Sequence, residues 1–318
     1  MVDSVLTFLH RRILSRPARA AVALGLIAGL AHFIDLDDAI FRIYLGLVTT
    51  EETKNVSIWL NDYQMDDTIR AIDGIEDNLS GLTWNDKTKT LFSVINGPAQ
   101  LIEIDRHGNL LRNIEMVGFE DLEAITWAGG SRYLVADERR QSVVQIWITE
   151  DTKKIVYADS PKVGVGIRSG KNKGFEGLAW DTSENSVWIA KERDPMMLYS
   201  VKGFSENGLD HSVEIDHYAE FNDAVTSESS DLSGLHYDSR SGHMLVLSDE
   251  SHQVIEVDLE GNVISTLGLG IIPRLDQFIP QAEGVTMDDN SDIYIASEPN
   301  LLYRFTRKEN NQATVAGL

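Results

Sequence analysis

The chain has 318 residues, no cysteine and a net charge of −22, from 50 acidic against 28 basic side chains. That length can bury a large core in one or two domains. The missing cysteine excludes disulfides, thiolate nucleophiles and thiolate metal ligands, and the acidic balance excludes nucleic acid as a partner, since nothing basic dominates to neutralise phosphates.

The charge is uneven along the chain. Residues 1–50 hold five Arg and four Asp, so the remainder carries −23. Arg11, Arg12, Arg16 and Arg19 precede the apolar stretch Ala20–Ile34, and Asp35, Asp37 and Asp38 follow it. Its 15 residues are short against the roughly 20 that span a bilayer. Snorkelling arginines on one side and "AIFRIYLGL" on the other lengthen it. Arginines on the N-terminal flank favour an N-in, C-out signal anchor. A cleaved signal peptide, with a weak small-residue site at Gly29–Ala31, and a buried or interfacial helix are the other readings. The expected organisation is therefore residues 1–50 as cytoplasmic tail, signal-anchor transmembrane helix and linker, and 51–318 as one domain. The inner membrane is the partner of the helix, and the domain lies on the periplasmic side.

Beyond Thr50, short runs rich in Val, Ile, Trp and Tyr alternate with turn clusters such as "DRHGN" (Asp105–Asn109) and "DSRSGH" (Asp238–His243). A motif recurs: "NLSGLTWN" from Asn78, "DLEAITWA" from Asp121, "GFEGLAWD" from Gly174, "DLSGLHYD" from Asp231 and "QAEGVTMD" from Gln281. Aligned on Ser80, Glu123, Glu176, Ser233 and Glu283, the spacings are 43, 53, 57 and 50 residues, the period of propeller blades. A second and a third hydrophobic run follow each motif. The last repeat ends after its third run, at Arg307, and Asp66–Ile75 is free to supply its outer strand and close the ring. The expectation is an all-β, five-bladed β-propeller with an N-terminal transmembrane helix.

The first strand of each blade lines the central channel, and the antiparallel second strand returns to the same end. That brings Asn96, Glu138, Glu192, Asp249 and Glu298 beside the first five residues. Seven of those ten positions are acidic: Glu123, Glu176, Glu283, Glu138, Glu192, Asp249 and Glu298. Crowded like charges call for a neutralising cation, and an all-oxygen set suits Ca²⁺ rather than zinc or copper. The competing reading is architectural: these residues bind backbone amides of the next blade, as expected for Ser80 and Ser233. Trp84, Trp127, Trp180, Tyr237 and His236 read as blade packing. The eight His show no metal spacing.

The five motifs, with "VWIAKERDP" and "DIYIASEPN", resemble the SdiA-regulated family of bacterial β-propellers over about residues 56–307. The resemblance implies a five-bladed propeller, distantly akin to NHL-repeat propellers, with a bound calcium ion and the acidic mouth as its site. It implies no defined activity. The function expected is an extracytoplasmic module that binds an unknown small molecule or protein at the channel mouth. The alternative is a calcium-dependent hydrolase of phosphoesters or lactones, with a likeness to esterase-like phytase propellers. Such an enzyme needs substrate anchors. Arg139, Lys191 and Arg193 beside the second-strand acids, and Arg168, Lys171 and Lys173 in the Gly-rich insertion, are candidates. Their other reading is pairing with nearby carboxylates.

Overall fold

The computed structural model describes residues 36–66, 70–165, 174–193, 195–270 and 279–308. Five sheets stand around a central axis, each opening on one recurrent motif. The innermost strands are Leu79–Asn85, Leu122–Trp127, Phe175–Asp181, Gly234–Asp238 and Ala282–Met287. Each pairs antiparallel with the strand that follows it, as in Leu82↔Ser93 of the first blade and Val285↔Ile295 of the fifth.

Turn chemistry at the end of the inner strand fixes these hairpins. Asp181 Oδ1 accepts from the amides of Ser183 (2.8 Å) and Glu184 (3.1 Å). Asp288 Oδ1 accepts likewise from Asn290 (2.8 Å) and Asp292 (2.9 Å). Such side-chain bonds stand in for ladder bonds where the chain reverses. Blade 2 lacks the carboxylate and turns on Gly129 and Gly130, both at positive φ.

The fifth blade closes as expected, with a shift in place. Tyr63–Met65 and Arg70–Ala71 both pair antiparallel with Leu301–Arg307, in the registers Tyr63↔Arg307 and Arg70↔Leu302. The closing strand thus begins before Asp66, the start read from the sequence. The residues just upstream are docked too. Buried Glu256 of blade 4 accepts from the amides of Ile58 (2.7 Å) and Trp59 (2.9 Å) and from Ser265 Oγ (2.5 Å). The backbone therefore finds acceptors here outside any sheet.

Among the described residues three α-helices lie outside the blades: Leu36–Val48, Glu51–Val56 and Ala219–Glu228. The last has too little apolar periodicity to be read from sequence. It is held by Phe221, which packs 5.4 Å from Trp188, and by Asn222, whose Oδ1 accepts from the Leu198 amide at 2.6 Å. Among the described residues no helix is long and apolar enough to cross a membrane. The expected anchor at Ala20–Ile34 and the candidate residues Arg168, Lys171 and Lys173 lie outside the described residues.

The cores lie between adjacent blades, and the axis itself is closed. Leu82, Ile125, Leu178, Leu235 and Val285, one from each inner strand, are buried around a void of about 10 Å³. The small residues just before them allow the strands to approach. A Cβ on Gly81 would meet Ala124 Cα at 2.8 Å, and one on Gly284 would meet Leu82 N at 2.7 Å. Small size is required by the neighbouring backbone, not by the bore of the channel.

Candidate metal centre

Above this apolar plug is a cavity of about 250 Å³ whose walls include Asn96, Glu123, Glu176, Glu192, Asp249, Glu283 and Glu298. Six of the seven acids read from the sequence therefore share one mouth. The seventh, Glu138, lies beside it, with a carboxylate oxygen within 4.8 Å of oxygens of Glu123 and Asp121. These three half-buried carboxylates could hold a metal ion.

A local irregularity turns the three glutamates inward. In blades 2, 3 and 5 the register of the first hairpin slips across one residue, and that residue is Glu123, Glu176 or Glu283. Each glutamate is the extra residue of a β-bulge, left out of the ladder and re-aimed. The second-strand acids are brought to the same end by one repeated bond. The amides of Glu138, Glu192 and Glu298 donate to the carbonyls of Asp121 (2.8 Å), Gly174 (3.2 Å) and Gln281 (3.0 Å), each two residues before the bulge.

The carboxylates are not equivalent. Glu138 Oε1 accepts from the amide of Gly174 (2.8 Å) and Asp249 Oδ1 from that of Ala282 (2.8 Å), both on the next blade, so these two are tied to the architecture. Glu123 accepts from Asn96 Nδ2 at 3.0 Å, and Glu192 from Arg193 Nε at 2.6 Å. Glu176 and Glu283 accept no hydrogen bond from any described residue. Ser80 Oγ donates to the next blade's carbonyl, that of Glu123 (2.7 Å), while Ser233 Oγ donates within its own blade to Leu247 O (3.4 Å). Both serines bind carbonyls, not the amides expected, and Ser233 does not cross between blades.

The electrostatics follow from an apolar floor under crowded acid. Burial, then repulsion from Glu123, Glu138, Glu283 and Glu192, holds the Glu176 carboxyl well above its ordinary range. Burial, then Asp249 and Glu123, pushes Glu283 up to about 8. Burial raises Glu123 to about 7 against the opposing hydrogen bond from Asn96. Glu138, Glu298 and Asp231 are raised as well, burial first in each case.

Two participants escaped the sequence reading, Asp121 and Asp231. Asp231 lines the cavity, and its Oδ1 accepts from the amide of Glu250 at 3.1 Å. The signal was present: both stand two residues before the aligned position, in "DLEAITWA" and "DLSGLHYD". The candidate anchors are engaged. Arg139 bonds Asp121 Oδ2 (3.0 Å), Lys191 Nζ bonds Pro195 O (3.1 Å), and Arg193, at the mouth, bonds Glu192 (2.6 Å) and Glu250 (2.5 Å).

Fold and site together define a five-bladed β-propeller with a carboxylate-lined mouth over a closed axis. Solved structures similar to it include a glutaminyl cyclase from Myxococcus xanthus, with a TM-score of 0.51 at 11% identity, covering 77% of this chain and 95% of that one. A luciferin-regenerating enzyme matches with a TM-score of 0.48 at 14% identity over 75% of this chain and 95% of its own. A gluconolactonase from Xanthomonas campestris matches with 0.46 at 11% identity over 82% and 94%. At these identities the likeness concerns the fold alone. The SdiA-regulated family profile matches residues 55–306, and the chain belongs to that family.

Proposed function

We propose that the protein is a membrane-anchored, calcium-binding propeller that acts as an extracytoplasmic binding module, with the acidic mouth as its site. One observation carries this reading. Glu176 and Glu283 stand over an apolar plug with no hydrogen bond from a described residue, while burial and then neighbouring acids push both toward the protonated form. A hard divalent cation would remove that repulsion. Glu123, Glu176 and Glu283 would hold it, with Asp121 and Glu138 beside Glu123. The donor set is all oxygen, which fits Ca²⁺ and its tolerance of irregular geometry. A bound ion would supply positive charge at which an oxygen-bearing small molecule or protein group can dock.

The hydrolase alternative needs a free cationic anchor beside the mouth, and among the described candidates Arg139, Lys191 and Arg193 are each already engaged. Membrane anchoring is supported by the arginines before Ala20–Ile34 and the aspartates after it. A reporter fused after Leu318 should be active only outside the cytoplasm; activity inside would sink the topology.

Calorimetry with calcium and with chelator tests the site. A ligand bound only by the folded state stabilises by mass action, about 2.7 kcal/mol at 100 times its dissociation constant. The expected result is a melting temperature that climbs with free calcium. A transition indifferent to calcium would overturn the reading.

A further inference from the structure

The opposite end of the channel, beyond the plug, holds a separate cavity of about 230 Å³. Its walls include Trp84, Trp127, Trp180 and Tyr237, contributed by four consecutive blades. These rings sit in the blade cores, as the sequence suggests, and in addition face this space. No two of them pack on one another as a ring pair, so they form separate walls and not a slot for a flat aromatic guest.

Thr83, Thr126 and His236 lie deeper, next to the plug. The hydroxyl oxygens of Thr83 and Thr126 accept the amides of Trp127 and Trp180, each at 3.0 Å. No described residue accepts the threonines' own O–H, so both hydrogens are available to a guest. Burial first holds the His236 imidazole down at about 4, hence neutral near pH 7. Three of the four rim carboxylates have a close basic partner, and the fourth, Asp86, accepts from Trp84 Nε1 at 2.8 Å with Lys89 at 3.7 Å. Arg240 bonds Asp238 (2.6 Å), Lys89 bonds Asp289 (2.8 Å) and Arg106 bonds Asp288 (2.9 Å). The lining therefore offers aromatic edges and uncharged hydrogen-bonding groups, with most of the rim charge paired.

We infer that this second mouth binds an uncharged, polyhydroxylated ring of monosaccharide size. Arg106 and Arg132 cover the rings of Trp84 and Trp180 at 4.5 and 4.6 Å, so the guest's C–H face would rest on Trp127, the half-exposed indole, and its oxygens would bond Thr83, Thr126 and the His236 ring nitrogen that does not face Thr286 Oγ1. The volume lies below the roughly 300 Å³ at which pockets take drug-sized ligands, which limits the guest to a single ring. Aromatic bodies supply apolar area at low conformational cost, and a few placed polar groups fix orientation.

The test is a titration of intrinsic tryptophan fluorescence with glucose, galactose, mannose and N-acetylglucosamine, and separately with tetramethylammonium and adenine. At least one sugar should give a saturable change at millimolar concentration. Trp127→Ala, at a half-exposed position, should weaken it about tenfold, equivalent to about 1.4 kcal/mol. If that variant fails to fold, Trp127→Phe should show a smaller loss in the same direction. Glu260→Gln, in an exposed turn away from both mouths, should leave the sugar affinity unchanged. No saturable change with any sugar to about 100 mM, or binding by tetramethylammonium or adenine instead, overturns the assignment. So does an affinity that ignores Trp127.

Discussion

Replacing Glu283 with Gln keeps the shape of the side chain and removes one charge from the crowded mouth. The Glu283 carboxyl sits at about 8 in the folded protein against an ordinary 4.5, because burial and then Asp249 and Glu123 disfavour its charge. A carboxyl raised on folding is harmless while protonated in both states. Its penalty grows as pH rises above the unfolded value and is complete above the folded one. At 1.36 kcal/mol per pH unit, that gap costs the metal-free protein about 3 kcal/mol at pH 7 and about 5 kcal/mol above pH 8. Near pH 4 the cost is close to nil. Urea unfolding in chelator should therefore find Glu283→Gln more stable than wild type by about 3 kcal/mol at pH 7 and equal to it at about pH 4. For a domain of this size the pH 7 gain corresponds to roughly 6–12 °C in melting temperature. Saturating calcium should shrink or reverse the gap, because the variant has lost a ligand. A variant no more stable than wild type at pH 7 in chelator, or a gap independent of pH, would refute the reasoning.

Two further outcomes concern the scaffold. Removing residues 1–56 should leave a cooperative melting transition, whereas removing 1–72 takes away both closing strands and should abolish it; a transition that survives the longer deletion would disprove closure through blade 5. Thr126→Val leaves the buried Trp180 amide without its acceptor and should cost about 1–3 kcal/mol in urea unfolding. Thr126→Ser should recover most of it, and a valine variant as stable as wild type would show that the bond is dispensable.

The blade count was legible because every blade solves the same folding problem with similar residues, and the motif "GFEGLAWD" carries its inner strand whole. The common end of the two sets of acids was legible too, since antiparallel return is a property of any hairpin. The bulges were not. Whether Glu176 pairs or is skipped depends on what stands opposite it on Ser186–Lys191, and no single stretch of sequence records that count. The split between structural and unpaired acids was equally hidden. Glu138 and Glu192 look alike in the sequence, each ending a second run and followed by Arg, yet only Glu138 meets an amide of the next blade. The second cavity went unread for a different reason. A tryptophan that packs a blade core also has a second edge, and periodicity says nothing about where that edge faces.

The clamp on Ile58 and Trp59 has a mechanical consequence. Any pull on the N-terminal segment travels along the chain toward Tyr63, the first residue of the closing strand. Before reaching it the load meets Glu256, rooted in blade 4, whose two carboxylate oxygens grip the backbone at 2.7 and 2.9 Å. The strain is thus shared between blade 4 and Arg307 of the last sheet, which holds Ile58 O at 2.9 Å, before it reaches the short closing strand. A propeller pulled by its N-terminal segment would in this way be fastened by a cleat set ahead of its seam.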